Sequence, residues 1–241
     1  MSLLPNNDSE TCQYHSLLKA ETWVFDLDNT LYPASCRLFD QVDKNITKFI
    51  MSFLSLDWTE AHTLQKKYFR QYGTSMNGLM KLHNADPLEF LDFVHKIDLS
   101  KVGQNPRMSA VLAKLPGRKL IFTNGSTAHA EGVMDALGVA HHFEGIFDIV
   151  AANYNPKPDP RAYKAFIEDY AINPLTAVMV EDMACNLVPA HEMGMSCVWI
   201  ASDSDWARAG SDESHVHYVV DDITNWLEVL CETTKAKNWI C

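Results

Sequence analysis

The sequence predicts an α/β fold: a doubly wound parallel sheet carrying an inserted all-α block. Three observations lead there. Short apolar runs such as Trp23-Val24-Phe25, Leu120-Ile121-Phe122 and Ala177-Val178-Met179-Val180 alternate with amphipathic helical patterns, as parallel strands covered on both faces require. From Pro33 to about Gln104 only the helical period is present, with no strand-like run. Polar residues punctuate the strand ends: Asp26 and Asp28, then Thr123 and Asn124, a loop with Lys157, then Glu181 and Asp182. In such sheets ligands bind outside the carboxyl ends of the strands, so the four groups are expected on one edge.

Taken in order, residues 1–20 read as a flexible leader, and the first strand is expected at about 22–27. Leu38, Val42, Ile46, Phe49, Ile50 and Phe53 mark one helix, and Ala61, Leu64, Tyr68 and Tyr72 a second. Asp86-Pro87-Leu88-Glu89 offers an N-cap acceptor, Pro at the first helical position and an acid at the third, ahead of Phe90, Leu91 and Val94. After Pro106 the alternation returns. A helix near 107–115 precedes the strand at 119–122; Ser126 caps a helix that stops at Gly138. A strand is expected at 147–151, then a helix from Asp159-Pro160, a strand at 177–180, a helix to about Met193, strands at 196–200 and 216–220, and a final helix bearing Ile223, Trp226, Leu227 and Leu230. The domain reading is a leader at 1–20, a core at 21–32 and 106–241, and a helical block at 33–105.

Of the 241 residues, 47% are hydrophobic and 21% charged, an ordinary globular balance without repeats or low-complexity runs. The net charge of −11 argues against a nucleic-acid polymer or an anionic membrane as partner. No apolar run approaches the roughly 18–20 residues of a membrane span. Six cysteines without a C-x-x-C, behind a polar N-terminus unlike a secretion signal, read as free thiols, and a cytoplasmic location is expected. His215 and His217, like the adjacent His141 and His142, lack a third ligand at zinc spacing and read as surface or packing residues.

On a strand, residues i and i+2 point the same way, so Asp26 and Asp28 are expected to face one pocket. Paired carboxylates repel unless a cation or proton intervenes. D-x-D by itself also fits an Asp-rich turn that caps the next element, and Lys157 by itself fits a solvated loop charge. The whole set suits phosphate chemistry with Mg²⁺, which takes oxygen ligands from one or two carboxylates and a substrate phosphate. An aspartate can attack phosphorus, and a second carboxyl two residues on can protonate the leaving oxygen and then help activate water.

Asp26-Leu27-Asp28-Asn29-Thr30, Thr123-Asn124-Gly125, Lys157-Pro158-Asp159-Pro160 and Val180-Glu181-Asp182-Met183 resemble, in this order, the four motifs of the haloacid dehalogenase-like superfamily. The resemblance spans nearly the whole chain. It implies Asp26 as nucleophile, Asp28 as acid/base, and Mg²⁺ held by Asp26, the Asp28 backbone carbonyl and Asp182, with Glu181 direct or through water. It also implies Thr123, Asn124 and Gly125 as phosphate-binding, Lys157 as the bridge between phosphate and nucleophile, and a cap in the block after the first strand. Glu181 departs from the many relatives that carry Asp. Leu31-Tyr32-Pro33, Tyr72-Gly73-Thr74-Ser75, Phe90–His95, Asn186–Ala190 and Asp221-Asp222-Ile223 are similar to the pyrimidine 5′-nucleotidase branch. That likeness implies a nucleoside monophosphate such as UMP or CMP as the small phosphorylated partner, with Tyr72, Gly73, Thr74 and Ser75 as substrate contacts. A phosphatase or phosphomutase for sugar phosphates or other small esters is the alternative. A phospho-acceptor signalling module is the reading from a different class, against which the inserted block counts.

Overall fold

In the computed structural model, which describes residues 17–237 (side chains to residue 232), the apolar runs form six strands. They are β1 (Thr22–Phe25), β2 (Arg118–Phe122), β3 (Gly145–Phe147), β4 (Ala177–Glu181), β5 (Ser196–Ile200) and β6 (Tyr218–Val220). All pair in parallel, in the order β3-β2-β1-β4-β5-β6. The chain builds outward from β1 to β3 and then returns to lay β4 on the other side of β1. The strand order therefore reverses between β1 and β4, where such sheets open a crevice for ligands.

Alternation along β1 divides its side chains between two layers. Trp23 and Phe25 join Ile121, Val178, Val180 and Val198 in a core closed by α5 (Pro106–Leu112), α6 (Thr127–Leu137) and α10 (Ile223–Lys237). Val24 points the other way, with Leu120, Phe122, Met179 and Cys197, under α7 (Pro160–Asp169) and α8 (Leu187–Glu192). Of the leader expected at 1–20, residues 1–16 lie outside the described residues; Leu17 and Ala20 are buried against the first of these cores. A short helix, α9 (Asp205–Arg208), follows β5.

Between β1 and β2 lie α1 (Phe39–Leu54), α2 (Trp58–Tyr72), α3 (Ser75–His83) and α4 (Pro87–Val94). They bury a third core of their own, built on Val42, Phe49, Ile50, Tyr68, Leu79 and Phe90, to which the sheet side contributes Ile149. The helix starts follow the residues expected of them: Asp86 accepts from the backbone N–H of Leu88 and Glu89, and Ser126 from that of His129. Asp57 and Glu60 form a reciprocal capping box at the head of α2.

One strand lies elsewhere than 147–151. β3 stops at Phe147 because the Asp148 side chain accepts from the Val150 and Ala151 N–H groups and from Thr127, turning the backbone away from the sheet. Cys36, Cys185 and Cys197 are free; Cys12 and Cys241 lie outside the described residues. No helix among the described residues is long and apolar enough to cross a membrane.

Candidate active site

The polar strand ends meet at the crevice beside β1. Phe25 is in register with Val180, and the Asp26 N–H extends the pairing by donating to Val180 O at 2.9 Å. Asp26 therefore stands beside the end of β4. Leu27 is fully buried in the core beneath, and the turn that follows is closed by Thr30 and Leu31 N–H groups donating to Leu27 O. Asn29 occupies the left-handed region at φ 59° within that turn, a conformation that asparagine tolerates better than most residues. The Thr30 hydroxyl donates to Asp26 Oδ2 at 3.1 Å.

Lys157 enters from the loop before α7 with its side chain almost wholly buried. Its Nζ donates to Asp26 Oδ1 (2.7 Å), Glu181 Oε2 (2.6 Å) and Phe122 O (2.7 Å), so all three ammonium hydrogens are used. Asn124 holds the lysine's backbone: its Oδ1 accepts from Lys157 N and its Nδ2 donates to Lys157 O. Both ends of the Asn124 side chain are thus engaged, and its direct task is to place Lys157. Thr123 is buried, and its Oγ1 accepts from Gly125 N at 2.9 Å, which leaves the hydroxyl hydrogen for another acceptor.

At the end of β4, Glu181 takes Lys157 on one oxygen and Asn186 Nδ2 (3.1 Å) on the other. Asn186 thus orients Glu181. Asp182 accepts a long bond from Asn29 Nδ2 (3.5 Å), and its backbone carbonyl is held by Trp199 Nε1 (2.7 Å).

Asp26, Glu181 and Asp182 each present an oxygen, all within 4.8 Å of one another. Three carboxylates therefore share one ammonium. Burial and the neighbouring Glu181 charge raise the Asp26 carboxyl to about 7, against the pull of Lys157. Burial, Glu181 and Asp26 together hold Asp182 well above the carboxylate range. Burial disfavours the Lys157 ammonium, but Asp26 and Glu181 outweigh it and keep its pKa above the ordinary lysine value. An all-oxygen donor set with surplus negative charge fits Mg²⁺, whose charge would let the carboxylates ionise together.

Asp28 lives in different company. Its Oδ1 accepts from Tyr32 Oη at 2.5 Å and pairs with His129 Nε2 at 2.9 Å, while its carboxylate stays outside the group of three. Burial raises the Asp28 pKa, yet His129 and Tyr32 prevail and lower it; burial depresses His129, and Asp28 prevails there to raise it. The two aspartates therefore face one crevice edge with separate partners. His129 was not readable from the histidine spacings. Its signal is positional: it lies three residues after the N-cap of a helix that opens at this same edge.

The residues expected as substrate contacts lie apart from the acids. Tyr72 ends α2, Thr74 Oγ1 caps α3 by accepting from Asn77 N, and the buried Ser75 hydroxyl donates to Gln65 O. Tyr72 and Gly73 line a cleft of about 740 Å³ with Lys81, Tyr154, Pro156 and Arg161; Asp26, Asp28, Glu181 and Asp182 do not line it. Pro156 and Pro158 face that cleft while the Lys157 ammonium turns from it to Asp26.

A model of the family described as haloacid dehalogenase-like hydrolase matches residues 21–194, which hold both aspartates, Thr123, Lys157 and the β4 acids. Phosphate metabolism protein 8 of Saccharomyces cerevisiae is 29% identical over 196 residues, covering 74% of this chain and 60% of that protein. The chain thus spans about three fifths of that relative's length. CbbY from Rhodobacter sphaeroides, solved in complex with phosphate, superposes with a TM-score of 0.60 at 16% identity, over 88% of this chain and 99% of the other. A HAD phosphatase from Thermococcus onnurineus superposes with a TM-score of 0.58 at 18% identity, over 87% and 97%. At such identities the likeness is one of fold. The family match runs through every strand end that meets at the crevice, and the chain belongs to the haloacid dehalogenase-like hydrolases.

Proposed function

We propose that the protein is a Mg²⁺-dependent phosphate monoester hydrolase that forms an aspartyl-phosphate on Asp26 and acts on pyrimidine nucleoside 5′-monophosphates. The observation that carries the chemistry is the buried Asp26, paired with Lys157 beside Glu181 and Asp182, two residues from an aspartate with other partners. Magnesium, held by Asp26 and Asp182 with Glu181 near, would neutralise phosphate oxygens and the surplus charge of the site.

Asp26 attacks phosphorus through a carboxylate oxygen; the phosphorus–ester oxygen bond breaks, and the departing oxygen takes a proton from Asp28. Asp28 is held low by His129 and Tyr32, so the proton it gives enters with the substrate: the phosphate monoanion passes it to Asp28 on binding and reacts as the dianion. Asp28 then accepts a proton from water as the water attacks phosphorus, and the bond to Asp26 breaks to give inorganic phosphate. The Lys157 charge, the Thr123 hydroxyl and the Asn124 backbone N–H stabilise the oxygens of the transferring group, while the Gly125 N–H holds Thr123 in place. The helical block would cover the site as a cap.

The nucleotide preference rests on the residues that resemble the pyrimidine 5′-nucleotidase branch. A hydrolysis panel with Mg²⁺ tests it: ribo- and deoxyribonucleoside monophosphates against sugar phosphates and phosphoglycolate. UMP and CMP are expected to lead. A flat profile, or a lead for sugar phosphates, removes the nucleotidase reading.

A further inference from the structure

Both donors to the Asp28 carboxylate converge on one oxygen. Tyr32 Oη and His129 Nε2 meet at Oδ1, and among the described residues no side chain or backbone group bonds Oδ2. A carboxyl pinned in this way is restrained in rotation, with its second oxygen left without a protein bond among the described residues. His129 is itself fixed. Its side chain is about 1% exposed, too deep to reorient freely. The His95 ring lies flat on it, with centroids 4.3 Å apart and an 8° interplanar angle. Ser126 Oγ accepts from the His129 N–H and pairs with His95 Nδ1 at 3.0 Å, holding both rings.

His95 comes from the helical block, directly after α4. Asn45 of α1 ties that segment down by donating to Val94 O and Lys96 O. His129 and Asp28 come from the sheet side. The stack therefore joins the block to the acid, through a ring that touches the acid and a ring that does not. Glycine at 125 lets the loop lie close against this pair: a Cβ there would stand 3.2 Å from the His129 ring and 3.6 Å from His95 Nε2.

We propose that His129 is a positioning residue for Asp28, holding Oδ1 so that Oδ2 is presented to the leaving oxygen, and that His95 positions His129 from the helical block. The proposal rests on the acid/base reading of Asp28. Neither histidine touches the phosphorus or the nucleophile. Their effect is confined to the step in which the leaving oxygen is protonated. An ester whose leaving group departs readily as an anion needs that proton little; an alkyl ester needs it most.

The test compares kcat and KM on p-nitrophenyl phosphate and on UMP, or whichever alkyl ester leads the panel, with Mg²⁺ present throughout. His129→Leu keeps bulk without the donor. Its kcat on the alkyl ester is expected to fall about a hundredfold, with less than about a tenfold fall on p-nitrophenyl phosphate and KM nearly constant. His129→Gln restores a donor near the same place and is expected to recover most of the alkyl-ester rate. His95→Ala is expected to show the same asymmetry at about a tenth of the size, and His95→Phe, which keeps a flat ring, less. His95→Ala carries the readout if His129→Leu does not fold. Equal losses on the two esters, or no loss, overturn the proposal. Asp28→Asn runs alongside. If it separates the esters and the histidine variants do not, the positioning role falls alone; if it does not separate them, the acid reading falls and the proposal with it.

Discussion

Two polar networks with buried members occupy this molecule, and they differ in balance. In the helical block, Thr47 bonds Gln65, Gln65 Nε2 donates to Asp43 Oδ1 (2.7 Å), Lys66 pairs with Asp43 (2.6 Å), and the Ser75 hydroxyl donates to Gln65 O. One acid meets one base, and the amide between them spends both its ends. At the sheet edge three carboxylates meet one lysine, and two of them are held far from their ordinary pKa. A balanced network stabilises the fold and asks for nothing more. An unbalanced one costs stability, and on the proposed reading it is arranged for a charge that arrives with metal and substrate.

The largest effect that can break this contrast is at Asp26. Asp26→Asn is expected to lower turnover by about 10⁴-fold or more while leaving the protein folded, measured as phosphate release. Substantial residual turnover would remove Asp26 as nucleophile. Asp28→Asn is expected to slow alkyl-ester hydrolysis by about 10²–10⁴-fold, and a mild effect contradicts the acid/base assignment.

Next comes the metal. Asp26 titrates higher in the folded chain than unfolded, so the stability of its protonated form is complete below about pH 4 and is lost as the pH rises through about 7. Metal-free protein should therefore have a lower Tm at about pH 8 than at about pH 5.5, to the extent that this group governs. Mg²⁺ should recover more at the higher pH, with about 2.7 kcal/mol expected at a hundred times Kd. A Mg²⁺-induced shift that is equal at both pH values would show that the acids do not gather the ion. The smallest effect lies in the balanced network: Gln65→Leu is expected to cost about 1–3 kcal/mol in denaturant melts with kcat unchanged. A changed kcat with unchanged stability would reverse the contrast.

Much of the fold was legible because β1, β2 and β4 are uninterrupted apolar runs and because Asp86-Pro87 and Asp159-Pro160 start helices by local bonding. The gathering of Asp26, Lys157, Glu181 and Asp182 followed from a rule about where parallel strands end. What escaped were decisions made between distant segments. Asp148 draws two backbone N–H groups from the residues after it and ends β3 early. The Asn124 amide closes around the backbone of a residue 33 positions away, which no local pattern shows. Gln65 sits on a stripe expected from Ala61, Leu64 and Tyr68, yet it is buried more deeply than Leu64 because Thr47 and Asp43 satisfy its amide. His95 ends the quoted stretch Phe90–His95, yet nothing there points to its partner Ser126, which lies 31 residues on.

The helical block's separate core has a further bearing. Among the described residues, Ile149 is the only fully buried member of that core from outside the block. A volume change among Phe49, Tyr68, Leu79 or Phe90 is therefore met first by the four helices around it. The block can be rewritten by mutation much as a fitting is changed on a fixed thread: the strand ends keep their register while a differently shaped roof is tried above them.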